Sequence, residues 1–148
     1  MKKLFAALAL SLLLAVIGYA ADNLKLNQRL DYGSDSQDGP LITSDDSSAG
    51  VRAGQPNYVI MYGEGCFNSK RQAKRTVELY EKYKGRANFV VVDLDLKRSD
   101  AQQQLVKKYY RGYIPHVVVL DKSGEALYNS SGEVPSDKIS ALLDKALQ

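Results

Sequence analysis

The chain has 148 residues, about one domain's length, with 45% hydrophobic and 25% charged residues, one cysteine and one histidine. One thiol excludes an internal disulfide framework, and a lone His116 beside a lone Cys66 excludes a Cys/His zinc cage. The formal charge of +3 leaves no electrostatic case for nucleic acid, and Lys2 and Lys3 supply two of those charges.

In chain order, a short basic start leads into an apolar run, Leu4 to Ile17, broken only by Ser11. Gly18 and Ala20 place small residues where an export peptidase cuts, so residues 1–20 read as a secretory signal peptide removed after Ala20. The run falls short of the ~20 apolar residues of a comfortable membrane span. Contact with a membrane is therefore expected only during export, and the mature protein is expected in the periplasm or secreted. Residues 21–55 are rich in Asp, Ser and Gly and carry six acids against three bases. Such composition buries little apolar surface, so this segment reads as a flexible acidic, Ser/Gly-rich leader with at most a short ordered piece around Leu24 to Leu30.

From Pro56 the pattern is regular. Tyr58 to Tyr62 is a short, apolar, buried strand, and Gly63 and Gly65 break it. Residues 68–84 read as a helix, with Ala73, Val77, Tyr80 and Lys84 at helical spacing and Gly85 as its stop. Phe89 to Val92 is a strand that continues in alternation through Leu96. Ser99 is an N-cap for a helix through Tyr110, with Leu105, Val106 and Tyr109 inward. His116 to Leu120 is another buried strand, Asp121 to Gly124 a tight turn, and Glu125 to Asn129 the returning partner of a hairpin. Ser136 caps a last helix with Ile139, Leu142, Leu143 and Ala146 inside. The order over residues 56–148 is β-α-β-α-β-β-α. It predicts an α/β domain with a four-stranded mixed sheet, one parallel pair plus a hairpin, flanked by helices on both faces.

The one reactive side chain is Cys66, between the first strand and the first helix in Gly65-Cys66-Phe67-Asn68-Ser69-Lys70. A thiol at a helix start meets unpaired amides and the positive end of the helix dipole, which favour a thiolate. Lys70, Arg71, Lys74 and Arg75 crowd the next two turns and would reinforce it, though the outermost are simply solvated. Cations there oppose the dipole, which suggests a helix start organised around an anion. The second feature is Gly112-Tyr113-Ile114-Pro115 at a strand entrance, where a proline marks a turn and a cis peptide is the sharper reading.

Together these residues resemble the thioredoxin family over residues 56–148. Cys66-Phe67-Asn68-Ser69-Lys70 stands where the family has Cys-x-x-Cys-Lys, Tyr110 to Pro115 looks like its cis-proline segment, and Lys122 to Glu125 like its hairpin turn. The resemblance implies that Cys66 attacks disulfides, and Lys70, from its charge one turn into the helix, is expected to stabilise the thiolate. The resemblance also implies that Ile114 and a cis Pro115 present backbone to an extended client beside Phe67 and Asn68. The departures carry more of the function. Ser69 replaces the resolving cysteine, so the chain cannot cycle alone as a dithiol enzyme, and its hydroxyl is a candidate hydrogen-bond donor to the thiolate. Ile60 replaces the family's buried acid, while Tyr62 and Gly65 occupy the places of its active-site aromatics. His116 reads as a satisfied core or edge residue rather than a base.

The expectation is an exported monothiol redox protein. Cys66 forms mixed disulfides with thiol- or disulfide-bearing protein clients or small thiols, and an external thiol reductant resolves them. The alternative is a non-catalytic binding module that uses the groove beside Pro115. No metal and no cofactor is expected, and an unpaired secreted thiol raises a disulfide-linked homodimer.

Overall fold

In the computed structural model the described residues are 21–148, so the expected signal peptide lies outside them. Two short strands come first, β1 (Lys25–Leu26) and β2 (Ile42–Thr43). Then follow β3 (Asn57–Tyr62), α1 (Phe67–Tyr83), β4 (Asn88–Asp93), α2 (Asp100–Tyr109), β5 (His116–Leu120), β6 (Ala126–Ser131) and α3 (Ser136–Leu147). The last seven are the expected β-α-β-α-β-β-α. They form a sheet of order β4-β3-β5-β6, with β3 parallel to β4 and antiparallel to β5, and β5 antiparallel to β6.

Side-chain alternation along the strands builds two cores, one on each face. Tyr58, Ile60, Phe89, Val117 and Val119 pack with Ala73, Leu79, Tyr80 and Tyr83 of α1 and with Ile139 and Leu143 of α3. Val59, Met61, Val90, Val92, Val118 and Leu120 pack with Leu105 and Tyr109 of α2. The boundaries differ from the sequence reading for local reasons. β4 ends at Asp93 instead of running to Leu96, because the Asp93 carboxylate accepts the Asp95 N–H at 2.9 Å and turns the chain. α1 buries Thr76 and Gln72 beside Ala73 and leaves Lys84 outside as its C-cap. Ser99 caps α2 with a full capping box, its side chain accepting from the Gln102 amide. Pro135, not Ser136, takes the N-cap place of α3, its fixed φ of −61° suiting a residue just outside the helix.

The largest correction concerns residues 21–55. They were expected as a flexible leader, yet they are laid against the α1 face of the sheet. β1 and β2 pair antiparallel, and Leu24, Leu41, Ile42 and Ala49 are buried in the same core as α1 and α3. Domain side chains hold the main chain in place: the Tyr80 hydroxyl accepts the Asn23 N–H at 2.8 Å and the Tyr62 hydroxyl accepts the Leu41 N–H at 3.0 Å. Gln102 Nε2 donates to Ser47 O at 2.8 Å and to Val91 O at 3.2 Å, joining this segment to β4. Few apolar residues suffice because the polar backbone between them is satisfied from outside. Among the described residues no helix is long and apolar enough to cross a membrane.

Candidate functional site

Strand register gathers the site at one end of the sheet. Tyr62 at the end of β3 pairs with Asp93 at the end of β4, and Met61 pairs with His116 at the start of β5. The loops carrying Cys66, Asp95 and Ile114–Pro115 therefore converge where the parallel strands end, the usual place for a site in such sheets. Gly63 makes the approach possible: a Cβ there would lie 2.5 Å from Ile114 Cδ1. The Ile114–Pro115 peptide bond is cis, and Pro115 O accepts the Gly132 N–H at 2.7 Å.

Cys66 is half-buried and is itself the N-cap residue of α1, in an extended conformation (φ −95°, ψ 119°), with no hydrogen bond from its side chain. An N-cap side chain ordinarily accepts from the second and third helical amides. Here those belong to Asn68 and Ser69, and neither amide has a partner among the described residues. The Phe67 amide is taken by Asp35, whose Oδ1 accepts it at 2.8 Å. The anion at this helix start thus comes from the chain's own N-terminal segment.

The other expected site residues fall out unevenly. Phe67 and Asn68 are exposed beside Cys66, as is Tyr113 (74% exposed) just ahead of Ile114, a residue the sequence reading passed over. Ser69 is fully buried, and its hydroxyl has no partner among the described residues, so the expected bond from Ser69 to Cys66 is not made here. Lys70, expected beside the thiolate, points elsewhere. Its side chain is buried, and Nζ donates to Asp31 O, Ser34 O and Ser36 O at 2.6, 2.7 and 2.8 Å. Its donors are taken by these carbonyls, each a direct charge-assisted bond. Arg71 and Arg75 both pair with Glu133, and Lys74 lies over the Tyr32 ring. His116 is buried, with its ring nitrogens bonded to Ser131 Oγ and Asn129 Oδ1 on β6.

Behind the loop sit two carboxyl groups that the sequence did not single out. Glu64 is buried and its carboxyl is pushed up to about 7, by burial first and by Asp93 next. Burial also raises Asp93. One oxygen of each lacks a partner among the described residues, and the Glu64 N–H donates to Asp95 Oδ2 at 2.7 Å. Burial and the neighbouring Asp93 carboxyl both favour the protonated form of Glu64. Burial also raises Tyr62, helped by the Asp93 charge. The signal for this pair was present as alternating acids, Glu64 then Asp93 and Asp95, but only the parallel pairing of β3 and β4 brings them together. Among the described residues no group of three His, Cys, Asp or Glu side chains could hold a metal ion.

A thioredoxin-like domain model matches residues 49–147. A protein named thiol:disulfide interchange protein TxlA homolog, from Synechocystis, is 32% identical over 65% of this chain and 48% of its own length. A chloroplastic thioredoxin-like protein, HCF164 of rice, is 30% identical over 73% of this chain and 40% of its own. The chain therefore spans less than half the length of these curated relatives. Among solved structures, a thioredoxin-like protein from Clostridium perfringens superposes with a TM-score of 0.53 at 21% identity, over 64% of this chain and 73% of the other. A malaria parasite thioredoxin-2 gives 0.52 at 21% identity, over 62% and 82%. At that identity the likeness speaks to fold.

Proposed function

The chain belongs to the thioredoxin-like domain family, and from that premise we propose that it carries out thiol–disulfide exchange with a single sulfur. The observation that carries this reading is the position of Cys66: the half-exposed N-cap of α1, at a helix start where the amides of Asn68 and Ser69 have no partner among the described residues. A thiolate there gains two backbone donors and the helix dipole.

The chemistry balances without a second cysteine. The Cys66 thiolate attacks one sulfur of a client disulfide, a new S–S bond forms, and the other sulfur leaves as a thiolate. An external thiol then attacks the client sulfur of the mixed disulfide, which frees Cys66 and passes the bond outward. Ser69 cannot close the cycle, and Ile60 supplies no acid to a resolving thiol that does not exist. Ile114 and Pro115 would present backbone to an extended client segment, with Phe67, Asn68 and Tyr113 flanking it. Residues 1–20 support export, which puts the exchange in the periplasm or outside the cell, where disulfides persist.

The exposed Phe67 and Tyr113 also favour a second reading, a module that binds clients beside Pro115 with no covalent step. One experiment separates them. Mature protein and a Cys66→Ala variant are incubated with reduced and disulfide-bearing peptides and run on non-reducing gels, with intact mass recorded. Adducts in wild type alone support exchange. Equal binding by both proteins with no adduct leaves the binding module. The intact mass of protein taken from its own cells without reductant also reports whether the chain begins at Ala21, and whether Cys66 is free, capped or dimerised.

A further inference from the structure

Gly65 stands next to the thiol, where a side chain is normal for the family, and the structure explains its absence. A Cβ on Gly65 would meet Gln37 Cβ at 3.2 Å and Asp35 O at 3.5 Å. Residues 31–37 run across the start of α1 as a strap and fill the space a side chain at 65 would use. Lys70 and Asp35 attach the strap, and Asp31 shapes it from within. Lys70 Nζ gathers the carbonyls of Asp31, Ser34 and Ser36 and also meets Ser36 Oγ at 3.1 Å. Asp31 closes the first turn by accepting the Gly33 N–H and the Ser34 hydroxyl, both at 2.7 Å. Asp35 Oδ1 accepts the Phe67 N–H, the first helical amide, one residue from the sulfur.

We infer that Asp35 is a positioning residue for exchange at Cys66, and that the strap makes the site select against anionic disulfides. This rests on the monothiol reading above. The carboxylate puts a fixed negative charge at the same helix end that a Cys66 thiolate occupies, so the two anions share one dipole and repel. Lys70 keeps its charge on the strap carbonyls, and Arg71 and Arg75 share the single charge of Glu133, so the Asp35 carboxylate is the negative charge that sits on the helix start itself, within a cationic surround. Asp35 is exposed, so its charge is open to an incoming reagent and weighs against an anionic one. The amides of Asn68 and Ser69, unpartnered among the described residues, remain as donors for a charged sulfur at the N-cap.

The test compares two small disulfides of opposite charge, dithiobis-nitrobenzoate (anionic) and cystamine (cationic). In each, the Cys66 thiolate forms one S–S bond and expels one thiolate, so the rates report the same step. In Asp35→Asn, which keeps an oxygen for the Phe67 amide but removes the charge, the ratio of anionic to cationic rate rises about two- to fivefold, the size of one charge at a helix end. Asp35→Lys moves it further the same way, and high salt shrinks the difference. A ratio that stays at the wild-type value in Asp35→Asn and Asp35→Lys overturns the inference, whether the separate rates rise, fall or hold. Wild type inert to both reagents, with Cys66 shown reduced by mass, brings down the exchange reading as well.

Discussion

Residues 21–55 and residues 56–148 share a core but are held by different forces. The second region is bound by ladders and by apolar side chains repeating every two or every three to four positions. The first has two two-residue strands and five buried hydrophobic residues flanked by polar chain, and it stays in place because Tyr62, Tyr80, Lys70 and Gln102 meet its backbone groups. A low-hydropathy segment is thus not free when a neighbouring domain supplies donors and acceptors for its main chain. Here that attachment brings Asp35 to the one reactive sulfur.

The comparison breaks most readily at Leu41, which is fully buried. Leu41→Ala costs ~2–5 kcal/mol in urea denaturation, as much as Leu143→Ala in the last helix. A cost below about 0.5 kcal/mol, the level of an ordinary surface change, would mean that the N-terminal segment does not share the domain's core. Next in size is Lys70→Met. It keeps the stem but strands three carbonyls, and it costs ~1–3 kcal/mol, with new proteolytic cleavage confined to residues 31–37. Stability lost without that cleavage would mean that Lys70 serves the helix and not the strap.

The smallest effect concerns pH and sharpens the contrast within the second region. The Glu64 carboxyl is raised to about 7 from 4.5, so between those values the folded state holds a proton that the unfolded chain has released. Stability from this group is therefore full below about 4.5 and declines as pH rises towards about 7. Glu64→Gln removes that slope and is the more stable protein at neutral pH, read from melting temperatures across the window. Asp31, Asp46 and Asp121 are lowered by hydrogen bonds from nearby Gly, Ser and Glu groups and act in the opposite sense, but they are common to both proteins and cancel in the difference. Parallel curves for the two proteins would show that Glu64 is not held protonated in this window.

The elements of residues 56–148, their order and the place of Cys66 before α1 were all legible as sequence, because periodicity and caps are local properties. Ser69 and Ile60 were legible too, as substitutions in a spaced motif. The partner of Lys70 was not, since Asp31, Ser34 and Ser36 offer backbone carbonyls, which leave no mark in side-chain chemistry. Nor was the Glu64–Asp93 pair, which exists only because β3 and β4 run parallel and end together. Asp35 at the helix start was invisible for the same reason: it is 31 positions from Cys66 in the chain and one residue from it in space. The sequence by itself determined the domain's secondary structure and its single thiol. Only the folded chain decided what surrounds that thiol, because the charges and donors around it come from backbone groups and distant segments that meet through packing alone.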